Sequence, residues 1–387
     1  MQIKIHTAHT PEQKLDLLGQ AAQYDLSCAC GESAHRKRDY SRWIYPAVLP
    51  SGGHIAMLKI LLSNECKNDC TYCANRASAS VERVSFTPAE LSAAFMHCFQ
   101  SKMVNALFLT SAVVKSSDYT MSRMIQTVEM LRYHYRFRGF IHLKILPGTS
   151  YSLIERAVQI ATRVSVNLEC PTARSLKRIA PDKEFTSDLL QPIADIRGII
   201  ARCAPGKKDQ TTQFVVGASD ETDQEILDAV WKLYRGYKLS RSYFSAYQPA
   251  AQFTHAITPT PIVREHRLYQ ADFLMRRYGF DFREFSFCDN GNLPLDKDPK
   301  QRWADMHQEF FPVELMESDY SRLIRVPGIG PLTAKKLISA RKDRVLRDEN
   351  DLDKLGIPIH KAGLYMTFKG KKIRTISPRP NQLALEL

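Results

Sequence analysis

The sequence predicts an α/β protein in two parts: a partial, open (β/α)6 barrel and, after it, a smaller all-α unit. Three observations point there. From Ala56 to Gln248 short apolar runs alternate with amphipathic stretches of a dozen or more residues, the spacing that parallel strands joined by crossover helices require. A compact cluster of Cys66, Cys70 and Cys73 follows the first apolar run directly, where barrels of this kind carry their active-site loops. Near the C terminus, Val326-Pro327-Gly328-Ile329-Gly330 separates two short helical stretches in the most basic part of the chain.

In chain order, residues 1–53 form a lead-in, with a helical patch from Glu12 to Tyr24 and a basic run at His35-Arg36-Lys37-Arg38. Residues 54–248 form the barrel. Its first strand, Met57 to Ser63, delivers the chain into the cysteine loop. Thr87-Pro88-Ala89-Glu90 then opens a helix to about Lys102, with Thr as N-cap, Pro at the first position and Glu at the third. Asn105 to Thr110 is the second strand, followed by a helix from Asp118 to Tyr135. Phe140 to Leu146 is the third, followed by a helix that Ser150 caps and that ends near Thr162. Arg163 to Glu169 is the fourth, with helical sequence after it to Cys203. Thr211 to Gly217, a helix from Asp220 to Tyr237, and Arg241 to Gln248 complete the set. Short apolar runs also fit buried helix segments; the regular repeat favours strands. A connector and helical extension (249–312), a helix-hairpin-helix unit (313–370) and a basic tail (371–387) follow.

A chain of 387 residues with 44% apolar content can bury a sizeable core. It opens without a basic and then apolar leader. No run approaches the ~18 uninterrupted apolar residues of a membrane span, Lys59 breaking even Ile55 to Leu62. Nine cysteines with one compact cluster argue against a disulfide framework. The expected compartment is therefore the cytoplasm. Cys28-Ala29-Cys30 reads either as a metal fragment or as buried thiols, and Cys98, Cys170, Cys203 and Cys288 as core thiols. The net charge of +13 points to a polyanionic partner. Between Ser318 and Lys372 there are 13 Lys and Arg against 6 Asp and Glu, so over half of the excess sits in that segment.

Cys66, Cys70 and Cys73 have the spacing Cys-x3-Cys-x2-Cys, one thiolate short of a closed four-ligand site. Three thiolates can hold three corners of a [4Fe-4S] cluster and leave one iron open for an external ligand. A zinc site completed by a distant His or Cys, or three unrelated core thiols, are the alternatives. In the fourth strand the alternation Ser165, Asn167, Glu169 gives one polar face. In a buried strand these groups need partners, and a bound ribose or methionyl group is a candidate; a solvent-facing edge is the alternative.

This cysteine spacing, with Tyr72 just before the last Cys, resembles the radical S-adenosylmethionine (SAM) superfamily. The resemblance implies a partial (β/α)6 barrel, a [4Fe-4S] cluster held by Cys66, Cys70 and Cys73, and SAM bound to the open iron. One electron then cleaves SAM to a 5'-deoxyadenosyl radical that abstracts hydrogen from substrate. It also implies that Tyr72 lies beside the adenine, that Val215, Val216 and Gly217 form a further adenine wall, and that Thr110 and Ser111 lie where the amino group is received. Ala112 stands where a glycine is usual.

More narrowly, the chain resembles the putative DNA modification/repair radical SAM proteins. The matching stretches are Tyr24-Asp25-Leu26-Ser27-Cys28, Leu58-Lys59-Ile60-Leu61, Ile141-His142-Leu143-Lys144 with Pro147-Gly148, and Ser165-Val166-Asn167-Leu168-Glu169. Others are Ala180-Pro181-Asp182-Lys183, Arg264 to Asp272, and Val326 to Gly330; Cys170-Pro171 departs from the expected Leu-Pro. This resemblance implies DNA as substrate and a uracil-DNA-glycosylase-type companion protein, and radical chemistry requires an electron donor. Lys144, Glu169, Arg264 and His266 are the candidate substrate-side groups, each with a structural salt bridge as its alternative.

The C-terminal pattern resembles helix-hairpin-helix DNA-binding modules. Gly328 and Gly330 permit a tight turn and close approach of a partner. Pro331 suits the first turn of the second helix, whose free N–H groups face a phosphate. Lys335 and Lys336 follow one turn later, and Asp351 to Ile357 reads as a degenerate second hairpin packed on the first. DNA contact is therefore expected through Gly328, Ile329, Gly330, Lys335 and Lys336, by way of the sugar-phosphate backbone. The alternatives are an RNA-modifying enzyme of the same mechanism, and a DNA-binding protein whose cluster is structural or redox-sensing.

Overall fold

The computed structural model describes residues 9–22, 44–48, 54–203, 205–249, 258–343 and 346–373. The stretch from Tyr24 to Cys30, the basic run 35–38, much of the connector and nearly all of the tail lie outside these residues. The chain divides into two compact units, Met1–Glu265 and His266–Leu387.

The first unit holds α1 (Pro11–Ala22), β1 (Ile44–Val48), β2 (His54–Leu61), α2 (Pro88–Gln100), β3 (Ala106–Thr110), α3 (Ser117–Glu129), β4 (Phe140–Lys144) and α4 (Tyr151–Ile160). It continues with β5 (Arg163–Ser165), α5 (Ala173–Ile179), α6 (Gln191–Cys203), β6 (Asp209–Val216), α7 (Asp223–Tyr237) and β7 (Arg241–Ala246). All seven strands join one curled sheet in sequential order. From β2 to β7 every pairing is parallel, as the alternation of apolar runs and helices requires. The six expected strands are all present, and one more flanks them: β1 pairs antiparallel with β2, Tyr45 opposite Met57. It lies inside the expected lead-in. A proline removes a ladder donor, so Pro46 confines this strand to an edge and hides it from a reading by propensity.

The helices start where the caps say they do. Around α2, Thr87 Oγ1 accepts from Glu90 N at 3.2 Å and Glu90 Oε2 accepts from Thr87 N at 2.7 Å; Thr222 and Glu225 repeat this capping box on α7. Lys14 on α1 reaches Glu90 at 2.9 Å. One face of the sheet packs on the helices: Leu58, Ile60, Leu107, Ile141 and Phe214 are fully buried, and Gln210 donates to carbonyls of Ile193 and Tyr237 on α6 and α7. The opposite, inner face is polar, with Lys59, Thr110, His142, Ser165 and Thr211 all buried.

The fourth parallel strand is shorter than its alternation predicts, because a side chain enters the ladder. Thr212 Oγ1 donates to Val166 O at 2.7 Å and accepts from Leu168 N at 3.0 Å. The strand beyond β5 is therefore tied to β6 through a hydroxyl.

The second unit contains the remainder of α8 (Ile262–Arg277), then α9 (Pro299–Met306), β8 (Val313–Glu314), α10 (Tyr320–Leu323), α11 (Pro331–Lys342), α12 (Asn350–Lys354), α13 (Ile359–Ala362), β9 (Met366–Phe368) and β10 (Lys371–Lys372). Its own core includes Leu323, Ile329, Ala334, Leu337, Leu352 and Ile357. The unit is not all-α. A three-stranded sheet pairs β8 parallel and β10 antiparallel to β9. Lys369 and Gly370 both have positive φ, as a two-residue hairpin turn demands. The expected boundary after Gly370 cuts this hairpin.

The expected second hairpin packs on the first. Gly328 and Gly356, Ile329 and Ile357, and Ala334 and Ala362 stand 28 residues apart in each case. The backbone repeats with them: Ala334 N donates to Gly330 O at 2.8 Å and Ala362 N to Pro358 O at 2.9 Å. Gly328 has φ +83°, and a Cβ there would stand 2.7 Å from Pro358 Cγ. Gly328→Ala is therefore expected to destabilise this unit by ~1–3 kcal/mol, from left-handed strain with the clash added. Chemical denaturation of the full chain followed by two probes, one per unit, checks this; an unshifted second-unit midpoint would contradict it. Among the described residues no helix is long and apolar enough to cross a membrane.

Candidate functional site

The cysteine loop leaves the carboxyl end of β2 and is held by contacts that no spacing rule reveals. Arg83 is the main staple. Its guanidinium donates to the carbonyls of Asn64 (2.5 Å), Asn75 (2.9 Å), Arg76 (2.6 Å) and Ala79 (2.9 Å). Asn64 itself pairs with the returning chain, giving Nδ2 to Glu82 O at 2.7 Å and taking Val84 N at 2.8 Å. Inside the loop, Asp69 Oδ1 accepts from Ser78 N and Oγ, while Asp69 N donates to Asp182 at 3.0 Å. Thr71 N reaches Ile179 O at 2.8 Å.

Charge-assisted bonds contribute roughly 1.5–3 kcal/mol each and are not additive. Arg83→Met is accordingly expected to free the loop and lower the iron retained per purified chain severalfold. Iron and sulfide assays with visible absorbance report it; full iron content in the variant would remove Arg83 from this role.

Cys70 is buried, and Cys66 and Cys73 are half-buried. Burial is the main influence on the thiols of Cys70 and Cys73. It raises Cys70 and pushes Cys73 up to about 12, against the opposing pull of Lys183. Asn75 N donates to Cys73 Sγ at 3.4 Å. Any metal these thiols take must release their protons. Among the described residues, no group of three His, Cys, Asp or Glu side chains closes in as a single-ion site. A four-iron cluster holds each cysteine at a separate iron. The three thiols of one loop act electrostatically on each other here, Cys66 and Cys70 both raising Cys73. This donor set fits three corners of such a cluster.

Next to the thiols stands a buried ion pair. Lys183 Nζ lies 3.2 Å from Glu169 Oε1 and 3.2 Å from Tyr72 Oη, with side-chain exposures of 8% and 7% for the two charged residues. Burial works against the ammonium, but Glu169 and the neighbouring thiols outweigh it and raise the pKa of Lys183. Burial and then Glu169 hold the Tyr72 phenol well above its ordinary value. Glu169 has φ +65°, in the left-handed region that a branched backbone enters at a cost of about 1–3 kcal/mol. It is locked there by Glu169 N to Gln213 O at 3.0 Å and Val215 N to Glu169 O at 2.8 Å. Its Oε2 is buried without a hydrogen-bond partner, so a strained, half-satisfied carboxylate faces this site.

The remaining expected residues divide. Tyr72, Glu169 and the cysteines come together. Lys144, Ser165, Thr110 and Asn167 lie on or just beyond the inner-face strands. Ser165 Oγ is bonded to His142 Nε2 at 2.9 Å. The Ser111 hydroxyl donates to Ala112 O at 2.8 Å and Ser63 O at 3.4 Å. Val215 is buried, and Gly217 (φ +79°) accommodates the chain's own Thr260, whose Oγ1 would meet a Cβ at 1.9 Å.

Two candidates are structural. Arg264 gives Nε to Asp223 at 2.8 Å and Nη2 to Glu221 O at 3.0 Å, and Asp223 is fully buried; it locks the start of α7. His266 is exposed, with Nε2 3.0 Å from Gln270 Nε2 one turn on. Lys183 and Arg83 are the residues the motif reading passed over. Lys183 had a signal, since it ends the matched stretch Ala180 to Lys183; Arg83 had none.

In the second unit the hairpin faces its own chain. Ile329 is fully buried, and its carbonyl accepts from Lys300 Nζ at 2.6 Å. A Cβ on Gly330 would meet Tyr278 Oη at 3.1 Å. The closeness these glycines permit is therefore to Pro358 and Tyr278, a correction to their expected role. Lys335 and Lys336 are exposed on α11, whose N terminus at Gly330 has no side-chain cap.

No protein-family model matches the chain, and no curated protein matches it. Among solved structures it is similar to the FeFe-hydrogenase maturase HydG from Carboxydothermus hydrogenoformans, at TM-score 0.48 and 12% identity over 78% of this chain and 75% of that one. It is similar to a radical SAM methyltransferase from Sphaerobacter thermophilus at TM-score 0.43 and 12% identity, over 67% and 84% of the two chains. For methylornithine synthase (PylB) the values are 0.44 and 10%, over 55% and 60%. Likenesses this distant leave the chemistry of the site to this chain's own residues.

Proposed function

We propose that the chain is a radical SAM enzyme acting on nucleic acid, DNA before RNA. The observation that carries the chemistry is the three-thiol loop at the end of β2 set against the strained, half-satisfied Glu169 and its partner Lys183. Cys66, Cys70 and Cys73 would hold a [4Fe-4S] cluster. Glu169 and Lys183 present a carboxylate and an ammonium side by side, complementary to the zwitterionic end of a methionyl group, with Tyr72 beside them. The chemistry such a pair supplies is one-electron reductive cleavage of SAM and hydrogen abstraction from a substrate carbon. The chain's own residues bind and orient: Arg83 fixes the loop, the Thr212 hydroxyl sets the path to Glu169, and the inner face receives substrate.

The basic excess of the second unit, its tandem hairpins and exposed Lys335 and Lys336 support contact with the sugar-phosphate backbone. A base read at the first unit would have to be flipped out or single-stranded. The uracil-DNA-glycosylase-type companion and an electron donor belong to the same reading.

The test is anaerobic incubation of the iron-loaded chain with SAM, a reductant, and either duplex DNA, single-stranded DNA or RNA. Release of 5'-deoxyadenosine stimulated by DNA, with a changed nucleoside seen by mass spectrometry, is the expected result. Stimulation by RNA alone would move the substrate to RNA. A colourless protein holding only zinc, or no SAM binding and no cleavage with any nucleic acid, would overturn the reading.

A further inference from the structure

One row of the inner face is built like an anion site. Lys144 on β4, Ser165 on β5, Thr211 on β6 and Arg241 on β7 are successive partners in register, so all four side chains leave the same face at one level. Two hydroxyls occupy the middle and two cations the ends. Thr211 is 1% exposed, yet its Oγ1 has no hydrogen-bond partner; a buried hydroxyl left so costs about 1–3 kcal/mol. Lys144 and Arg241 are half-buried, so solvent reaches the row at its ends.

The charge balance of this face is one-sided. Among the described strand positions it bears Lys59, Lys144, Arg163 and Arg241, with Asp209 as the one acid. That acid is taken by Arg163 in a bidentate pair at 2.7 and 2.6 Å. Lys59 lies between the rings of Tyr45 and Phe108, 5.4 and 5.1 Å from their centroids. Arg241 stacks on Tyr243 at 4.9 Å, an arrangement that leaves the N–H edge of a guanidinium available. Strands spaced ~4.8 Å apart put the two cations at the ends of the row roughly 14 Å apart at Cα; long side chains on the inside of a curled sheet converge over the hydroxyls between them.

We propose that Lys144, Ser165, Thr211 and Arg241 form a phosphate-binding cradle on the inner face, which takes a phosphate group of the substrate. Thr211 Oγ1 donates to a phosphate oxygen, and Ser165, steadied by His142, lies beside it. Lys144 and Arg241 balance the charge from either side. The inference rests on the proposed nucleic-acid reading for the identity of the phosphate, but not for its binding, which needs neither iron nor SAM.

Calorimetry of the full chain with inorganic phosphate, thymidine 5'-monophosphate and thymidine tests it. Saturable binding of the phosphates at one site is expected, with thymidine at least tenfold weaker than its monophosphate. Tighter binding of the nucleotide than of inorganic phosphate would assign the cradle to a nucleotide unit, and equal binding to free phosphate. Arg241→Met should weaken phosphate at least tenfold. Thr211→Val, nearly isosteric and relieved of an unpartnered hydroxyl, should weaken it severalfold with an unchanged or raised Tm, which separates binding from folding. No phosphate binding, thymidine binding as tightly as its monophosphate, or phosphate binding indifferent to both substitutions overturns the cradle. Phosphate binding that depends on Arg241 in a chain that never cleaves SAM would leave the cradle standing and remove the radical SAM reading.

Discussion

Replacing Lys183 with Met is expected to destabilise the first unit by ~3–5 kcal/mol and to abolish SAM binding to the iron-loaded chain. The first figure follows from the burial of both partners: removing one member of a buried ion pair strands the other charge. Glu169 has no easy escape, since its backbone is locked to Gln213 and Val215 at φ +65° and its Oε2 already lacks a partner. The second follows from complementarity, because the variant presents a carboxylate with no cation beside it to a ligand end carrying both charges. A structural role and a binding role would separate in the double variant Lys183→Met/Glu169→Gln. Removing both charges should recover most of the stability, while SAM binding stays lost. Denaturation midpoints and equilibrium dialysis with SAM give the two readouts. A double variant that regains SAM affinity along with its stability would leave the pair a packing device only.

The barrel was legible because its signals are redundant. Each parallel strand is a short apolar run, and each crossover has its own cap, as at Thr87 and Glu90 or Thr222 and Glu225, so local and global preferences agree. What stayed hidden breaks that agreement. β1 contains Pro46 and becomes visible only through its pairing with β2. The Lys369-Gly370 turn takes its φ values from pairing across β9 and β10 rather than from an Asn-Gly signature. Strand propensity ran Ser165, Asn167 and Glu169 on one continuous face, and could not show that Thr212 would bridge the ladder or that Glu169 would turn left-handed.

At the site, spacing alone located the three thiols, since they lie within eight residues of each other on one loop. Everything that reaches the loop from elsewhere was out of range of a spacing rule. Lys183 arrives from more than a hundred residues away, and Arg83 acts on backbone carbonyls, which have no sequence signature. Arg264 illustrates the converse error. It stands in a motif-like run with His266, yet its guanidinium closes on Asp223, a partner that no periodicity connects to it.

The largest expected effect is on the cluster itself: Cys73→Ala should remove essentially all bound iron, while Cys170→Ala should leave it intact. Seven described cysteines are free, and only Cys66, Cys70 and Cys73 share a loop. Cys170 is the instructive control. It is fully buried, adjoins Glu169, and has its thiol pushed up by burial and by the carboxylates of Glu221 and Glu169. A thiol among carboxylates gives up its proton reluctantly and is a poor metal ligand, whereas Lys183 eases the proton off Cys70 and Cys73. A three-thiolate cluster keeps one iron open for SAM, and losing Cys170 then changes nothing at the metal. If a fourth cysteine closed the site, its removal would cost iron and SAM would have no open position to take. Iron and sulfide content, with the electron paramagnetic resonance spectrum of the reduced chain with and without SAM, distinguishes the two. Iron lost equally from Cys73→Ala and Cys170→Ala, with a spectrum indifferent to SAM, would mark a closed structural cluster instead of an open catalytic one.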